Sequence, residues 1–476
     1  MWSFDKFYDN IAIIDESGER TTYAGLQSVC ETLLSQANRR SLAFNLCANE
    51  KGSLLGYAAF IKGGIVPLML DAALERGLLF ALIEKYKPNY LWLPQRMAGE
   101  FSGYSEICSI WNYALLKTPY DRIFPLYEEL ALLLTTSGST GSSKLVRQSY
   151  ANILANTESI VEYLQLDAKE RPITTMPMSY TYGLSIINSH LRVGASIILT
   201  QKTLMQKEFW RQFRDYGATS FGGVPYIYEM LKKLRFFRMD LPALRTMTQA
   251  GGKLSPELHR KFAEHAAASG KSFIVMYGQT EATARMSWLP AEKSLEKCGS
   301  VGIAIPGGEF SLIDGNGHEI AEKEVVGELV YKGANVTLGY AESGTDLTKG
   351  DENGGVLLTG DMAKRDADDF YYVVGRKKRF LKIFGNRVNL DETERLLKEA
   401  FQRFECACGG IDDEMTVFIT DGGSADSVVK FLAEKTGFNH AAFKTAVVGK
   451  IPRNDAGKIL YGELSNLNKI KRVKLK

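Results

Sequence analysis

Histidine is scarce in this chain, five in 476 residues, and cysteine is little commoner at six. Cys30, Cys47, Cys108, Cys298, Cys406 and Cys408 are dispersed. Only the last two are neighbours, as C-A-C, and one intervening residue suits neither a zinc knuckle nor a CxxC redox motif. No metal site built from Cys and His is expected, and reduced thiols in a cytoplasmic protein are the expectation. Charge of one sign is also missing. A net charge of +3 falls far short of the electrostatic footprint that nucleic-acid binding needs. Long apolar runs are absent too: the candidate "SLLGYAAFIKGGIVPLML" is broken by Lys62 and a glycine pair, so no membrane span is expected. The first residues, "MWSFDKFYDNIAIIDESGER", carry acids early and lack the basic-then-apolar order of a signal peptide. No Ser-His-Asp or Cys-His arrangement announces a protein nucleophile.

What is there reads as a soluble globular chain, 45% hydrophobic and 24% charged, long enough for two or three domains. The first hundred residues alternate short apolar runs ("SLAFNLCA", "IVPLML", "NYLWLP") with amphipathic segments ("KGSLLGYAAFIKGG", "LERGLLFALIEKYKP"). That pattern predicts βαβ units and a buried, largely parallel sheet. It resumes with strands at "SIILT", "ATSFGGV" and "FIVMYG", and a helix over "SPELHRKFAEHAAASG" capped by Ser255 and ended by Gly270. From about Gly299 the texture turns glycine-rich, and "DGNG" signals a hairpin turn in a small antiparallel β subdomain. The remainder alternates into a compact α+β piece ending in a basic tail. The fold class expected is α/β and α+β multidomain. A large N-terminal domain over 1–374, with mainly parallel sheets flanked by helices, includes a β subdomain at about 299–374. A hinge lies at 375–379, and a small mobile α+β domain covers 380–476.

The stretch "TTSGSTGSSK", Thr135 to Lys144, lies between the apolar strand "LALLL" and a helix. Strand, glycine loop, then helix is a phosphate-binding arrangement: glycines turn backbone N–H groups toward an anion and the helix N-terminus adds positive potential. Gly138 to Lys144 reads G-S-T-G-S-S-K, which does not have the spacing of the ordinary P-loop. Four further segments carry chemistry. "MYGQTEA" ends a strand with an aromatic, a hydroxyl and a carboxylate, a set able to stack a base, bind a phosphate and hold a divalent cation. "LLTGDMA" places Asp361 after a turn. "GRKKRFLKIFGNRV" clusters Arg376, Lys377, Lys378 and Arg379, and "PRNDAGKI" sets Lys458 behind a flexible turn. Each alone has a plain alternative as a solvated loop or turn.

Together and in this order the motifs resemble those of the adenylate-forming superfamily: acyl- and aryl-CoA ligases, adenylation domains of peptide synthetases, and luciferases. The loop is similar to T-S-G-[ST]-T-G-x-P-K, "YGQTE" to Y-G-x-T-E, "GRKKRFLKIFGNRV" to G-R-x-[DK]-x-x-I-K-x-x-G-x-R, and "PRNDAGK" to P-x-x-x-x-G-K; "TGD" is retained. The resemblance covers nearly the whole chain. It implies an acid–thiol ligase that joins a carboxylic acid to AMP, releases pyrophosphate and passes the acyl group to a thiol, with ATP, Mg2+ and CoA as cofactors. By the resemblance, Thr136, Ser137, Gly138, Ser139, Thr140 and Gly141 with Lys144 would wrap the β- and γ-phosphates of ATP. Tyr277 and Gly278 would lie at adenine, Thr280 at the α-phosphate, and Glu281 would ligate Mg2+. Asp361 and Arg376 would hold the ribose, and Lys458 would bridge the attacking carboxylate and the α-phosphate. Lys378 falls at the hinge, and Lys382 and Gly385 at the thiol tunnel used after the small domain rotates.

Departures from the pattern are Ser143 for the usual Pro, Tyr180 where many CoA ligases carry a gating His, and "VNLDETE" in place of a proline-containing start to the small domain. Tyr180, Tyr182, Phe221, Gly222, Gly223, Val224, Gly251 and Met276 are the acyl-wall candidates. Thr181 stands where amino-acid-activating relatives place an Asp, which disfavours an α-amino acid. Gly278 stands where acetyl- and propionyl-specific members carry Trp, so a longer acid is expected to fit. Tyr182 and Met276 limit depth, favouring a medium, aromatic or modest hydroxy acid over a long fatty chain. Three readings stay open: transfer to CoA, transfer to the phosphopantetheine thiol of an acyl carrier protein, and a nucleotide-binding relative without turnover.

Overall fold

The computed structural model describes residues 1–121, 123–135, 144–384, 386–453 and 459–464, with the side chains of residues 378, 380, 386 and 387 excepted. The chain forms two units, Met1–Phe310 with Tyr331–Leu357, and Ser311–Val330 with Leu358–Lys476.

The first unit is built on an eight-stranded sheet. Its centre is four parallel strands in the order Leu130–Thr135, Val66–Asp71, Leu42–Cys47 and Tyr90–Pro94. These are the apolar runs of the sequence, and they are buried along almost their whole length because helices cover both faces. Successive side chains sort to opposite faces. Ala43, Met69 and Leu134 join one core, while Leu42, Phe44, Leu68 and Leu133 join the other. Antiparallel strands complete the edges: Leu145–Ser149 and Gly339–Ala341 on one side, Tyr113–Lys117 and Ser105–Ile110 on the other. A second, five-stranded sheet runs Ser220–Gly223, Thr246–Gln249 and Ser272–Tyr277 in parallel, then Ser287–Trp288 and Ile303–Ala304 antiparallel.

The helix Tyr150–Leu164 starts where the strand Leu145–Ser149 ends, through a capping box of Ser149 and Asn152. Asn152 then donates to the backbone oxygens of Ala334 and Val336, both at 2.8 Å, and Asn156 to that of Arg285, also at 2.8 Å. One helix thus fixes two segments distant in sequence, 280–285 and 334–340.

A four-stranded sheet is ordered Gly308–Ile313, Gly327–Gly333, Val356–Arg365 and Tyr371–Arg376, the last two strands antiparallel, and the second unit contributes Ser311–Ile313, Gly327–Val330, Leu358–Arg365 and Tyr371–Arg376 to it. The expected turn lies at its "DGNG": the N–H of Asp314 donates to the oxygen of His318 at 2.9 Å. A hairpin of Phe380–Ile383 and Asn386–Asn389 follows. A three-stranded sheet (Cys406–Ile411, Glu414–Ile419, Phe443–Val447) then packs with the helices Leu390–Ala400 and Ala425–Thr436. Among the described residues no helix is long and apolar enough to cross a membrane.

Candidate active site

The strand Ser272–Tyr277 delivers the Y-G-Q-T-E segment at its end. The Tyr277 ring lies 6.4 Å from that of Phe310, and Gln279 Nε2 donates to the Tyr277 hydroxyl at 3.2 Å. Thr280 opens a 3-10 turn and is buried, its backbone oxygen 3.4 Å from Gln148 Nε2. The backbone oxygen of Glu281 accepts from both the N–H and the hydroxyl of Thr337, each at 3.0 Å. Its carboxylate accepts from the Tyr340 hydroxyl at 2.7 Å. Burial, and then the neighbouring Glu281 carboxylate, push the Tyr340 hydroxyl up, so it stays protonated and donates.

Lys144, the closing residue of the glycine loop, meets the same tyrosine. Its Nζ sits 3.4 Å from the Tyr340 ring centroid and 3.8 Å from a Glu342 carboxylate oxygen. Tyr340 therefore holds a cation on its face and a carboxylate on its hydroxyl. No motif singles this residue out; in sequence it is one tyrosine at the end of "NVTLGY". Thr136 to Gly141 of the loop lie outside the described residues.

The turn beyond Glu281 is strained and held. Thr283 has φ +63° without being glycine. Its hydroxyl donates to the Asn335 oxygen at 2.7 Å and its oxygen accepts from Thr181. Asn335 Nδ2 donates to the oxygens of Ala282 at 2.9 Å and Arg285 at 3.1 Å. Gly278 has no room for a side chain. A Cβ there would lie 1.8 Å from the Ala284 oxygen and 2.8 Å from the Arg285 Cα. The space freed by Gly278 is filled by the chain's own returning backbone.

The structure brings most acyl-wall candidates together. The Tyr182 hydroxyl bonds to the Thr248 oxygen at 2.9 Å, and a Cβ on Gly222 would meet that hydroxyl at 2.8 Å. A Cβ on Gly251 would meet Val224 Cγ1 at 2.9 Å and the Tyr180 hydroxyl at 3.0 Å. Tyr180 and Tyr182 meet edge-on, centroids 6.5 Å apart. Phe221 stacks in an aromatic group with Phe213, Tyr228 and Phe236. Gly223 points the other way along its strand, toward Ile227 and Tyr228, as alternation on a strand requires. Burial pushes Tyr180 up to about 12, so where a histidine gate would titrate near neutrality this one stays a neutral phenol. Met276 Sδ lies 3.1 Å from the Tyr163 hydroxyl and 3.0 Å from Arg285 Nη1. Arg285 itself was not anticipated.

In the second unit, antiparallel register sets Asp361 opposite Arg376, and Arg376 Nε lies 3.2 Å from the Asp361 carboxylate. Asp361 is buried and Arg376 exposed. The Lys378 side chain, Gly385 and Lys458 lie outside the described residues. Lys382 is exposed on its hairpin strand. Arg453 and Ile459 form an isolated antiparallel bridge. Tyr461 just beyond stacks on the Arg379 guanidinium at 3.7 Å and donates to Glu394 at 3.0 Å.

Among the described residues no group of three His, Cys, Asp or Glu is placed to hold a metal ion. A lone carboxylate such as Glu281 fits Mg2+, which takes one or two protein carboxylates and completes its shell with water and substrate phosphate.

Residues 109–341 match the family model described as AMP-binding enzyme. A probable CoA ligase of Humulus lupulus is 29% identical over 353 residues, covering 71% of this chain and 64% of that protein. Sulfoacetate–CoA ligase of Cupriavidus necator is 30% identical over 285 residues, covering 60% of this chain and 54% of its own length. The match thus spans less than two thirds of these relatives. Among solved structures, O-succinylbenzoate coenzyme A synthetase from Bacillus subtilis with ATP and magnesium superposes with TM-score 0.78 at 21% identity, over 97% of this chain and 98% of that one. At that identity the likeness is one of fold.

Proposed function

We propose that this chain, which belongs to the adenylate-forming superfamily of AMP-binding enzymes, activates a carboxylic acid as its acyl-AMP, releases pyrophosphate, and transfers the acyl group to CoA. The observation that carries the reading is the Lys144–Tyr340–Glu281 group: a cation from the glycine loop and a carboxylate from Y-G-Q-T-E, both fixed on one tyrosine. A carboxylate attacking an anionic phosphorus is slow because like charges meet. Catalysis therefore needs placed countercharge more than a nucleophile.

Lys144, with the loop residues 136–141, is assigned to the leaving pyrophosphate. Thr280 is assigned to the α-phosphate and Tyr277 to adenine. Mg2+, held by Glu281, supplies charge neutralisation at the phosphates when bound. Asp361 accepts hydrogen bonds from the ribose hydroxyls, as an acceptor-only carboxylate does, and Arg376 joins it there. Lys458 bridges the attacking carboxylate and the α-phosphate. Residues 375–379, with Lys378 among them, form the hinge, and Lys382 and Gly385 line the thiol path of the second half-reaction. A medium or aromatic acid and a cytoplasmic location complete the reading. Transfer to a carrier-protein thiol is the alternative acceptor.

The test is acid-dependent ATP–pyrophosphate exchange across an acid library, followed by CoA and carrier proteins offered to the preformed adenylate. Exchange with at least one acid and thioester formation on CoA are expected. Exchange with none leaves a nucleotide-binding relative without turnover; transfer only to a carrier protein replaces CoA as acceptor.

A further inference from the structure

Among the described residues of the first unit two arginines are almost wholly buried, and they are treated differently. Arg147 is 0% exposed. Its guanidinium donates to the oxygens of Tyr340 at 3.1 Å, Gly350 at 3.1 Å, Leu338 at 2.9 Å and Lys349, and pairs with the Glu352 carboxylate at 2.5 Å. Its charge is compensated in full, as a buried guanidinium requires. Arg285 is 3% exposed, and its partners among the described residues are all uncharged. Nε donates to Ser185 Oγ at 3.2 Å; Nη1 donates to the Tyr163 hydroxyl at 3.1 Å and faces Met276 Sδ at 3.0 Å. Its Cζ lies 5.2 Å from the Tyr182 ring centroid. No carboxylate among the described residues pairs with it.

A thioether is a poor acceptor, and hydroxyls bring no charge. Burying a guanidinium is costly, and two hydroxyls, a thioether and one aromatic face offset that cost only in part. Two of its neighbours, Tyr182 and Met276, are acyl-wall residues. The turn that carries Arg285 there is the one that passes over Gly278, clamped by Asn335 and Asn156. The backbone is thus built to hold this arginine behind the wall. Met276, with three rotatable bonds, is the side chain best able to yield its place to an anion.

We propose that Arg285 is a specificity determinant: the acid activated here carries a second anionic group, a carboxylate or sulfonate remote from the activated carboxyl, that pairs with its guanidinium. Tyr182 and Met276 set the distance between the two ends of such a substrate. This rests on the adenylation reading above.

Matched pairs of acids of equal chain length, one with a methyl terminus and one with a carboxylate or sulfonate terminus, separate the two claims. Pyrophosphate exchange is measured on the full chain, on Arg285→Met and on Arg285→Lys. The wild type is expected to prefer the dianion. Arg285→Met is expected to lower the dianion-to-neutral ratio of kcat/KM by roughly 10- to 100-fold, the range of a hydrogen-bonded charge pair, chiefly through KM for the acid. Arg285→Lys, which keeps the charge, should recover part of it. A wild type that prefers the neutral partner overturns the proposal alone. So does a ratio unchanged in Arg285→Met. Exchange with no acid of either kind overturns the adenylation reading and this proposal with it. Where Arg285→Met fails to fold, the wild-type preference and Arg285→Lys decide.

Discussion

Tyr340 keeps a lysine and a glutamate on separate faces of one side chain. Its hydroxyl reaches Glu281 while its ring carries the Lys144 ammonium. In Tyr340→Phe the ring stays and the donor to Glu281 goes, so the carboxylate proposed to hold Mg2+ loses its orientation. The Mg2+ concentration giving half-maximal exchange should rise by roughly 10- to 100-fold, the worth of one hydrogen bond to a charged group; Tyr340→Ala, which also removes the support under Lys144, should be worse. A Mg2+ titration of both variants checks this. His190 makes a prediction about pH. Burial pulls it down to about 4, with Nδ1 2.7 Å from the Ile186 oxygen. The unfolded residue takes up its proton near pH 6.5 and the folded one not until about 4. Between these values the unfolded state binds more protons, so stability falls as pH drops through that window and is unaffected above it. His190→Leu should flatten the slope by up to ~1.4 kcal/mol per pH unit, read from urea unfolding between pH 5 and 7. His259, also lowered by burial, acts in the same direction and remains. Motif reading reached Lys144 and Glu281 because loop and strand end have local signatures. It missed Tyr340 and Arg285 because what gives them meaning is a partner far along the chain.

Elements with one face or two faces buried were readable, and short ones were not. The central parallel strands appear as apolar runs because burial on both sides leaves no polar positions. The two-residue strand Ile197–Ile198 was legible only as part of the longer run "SIILT", and Ser287–Trp288, with no such run around it, is too brief to show any period. Thr246–Gln249, with three polar residues of four, is recruited by its two parallel neighbours. The small α+β piece adds an element that composition disguised. In "GRKKRF" the four cations read as one cluster, yet Arg379 is drawn inward. Its Nε pairs with Asp391 at 2.8 Å, its Nη2 with buried Glu394 at 2.6 Å, and its face meets Tyr461. This clamp joins the turn Lys377–Arg379, the helix Leu390–Ala400 and Tyr461. Arg379→Ala leaves Glu394 buried without its cation and should cost about 3–5 kcal/mol, measured by denaturant unfolding of the full chain.

At the scale of the molecule, order of motifs along the chain carried more than any motif alone. The glycine loop by itself failed the P-loop spacing; only the later segments give it a resemblance to an ATP-binding element. The two lysines have separate tasks in the account. Lys144 serves the pyrophosphate and Lys458 the attack, so Lys458→Ala should slow adenylation by roughly 10²- to 10³-fold and leave thioester formation from supplied acyl-AMP nearly as fast as in the wild type. Assaying the half-reactions separately checks it, and equal losses would refute the division of labour.

The most direct measurement follows an oxygen atom. A substrate acid labelled with 18O in its carboxylate is turned over with ATP and CoA, and the nucleotide and phosphate products are analysed by mass spectrometry. If the carboxylate attacks the α-phosphorus, the P–O bond to pyrophosphate breaks and thiolysis leaves one labelled oxygen in AMP, with none in pyrophosphate. Label appearing in inorganic phosphate beside ADP would place the attack at the terminal phosphorus and contradict the account.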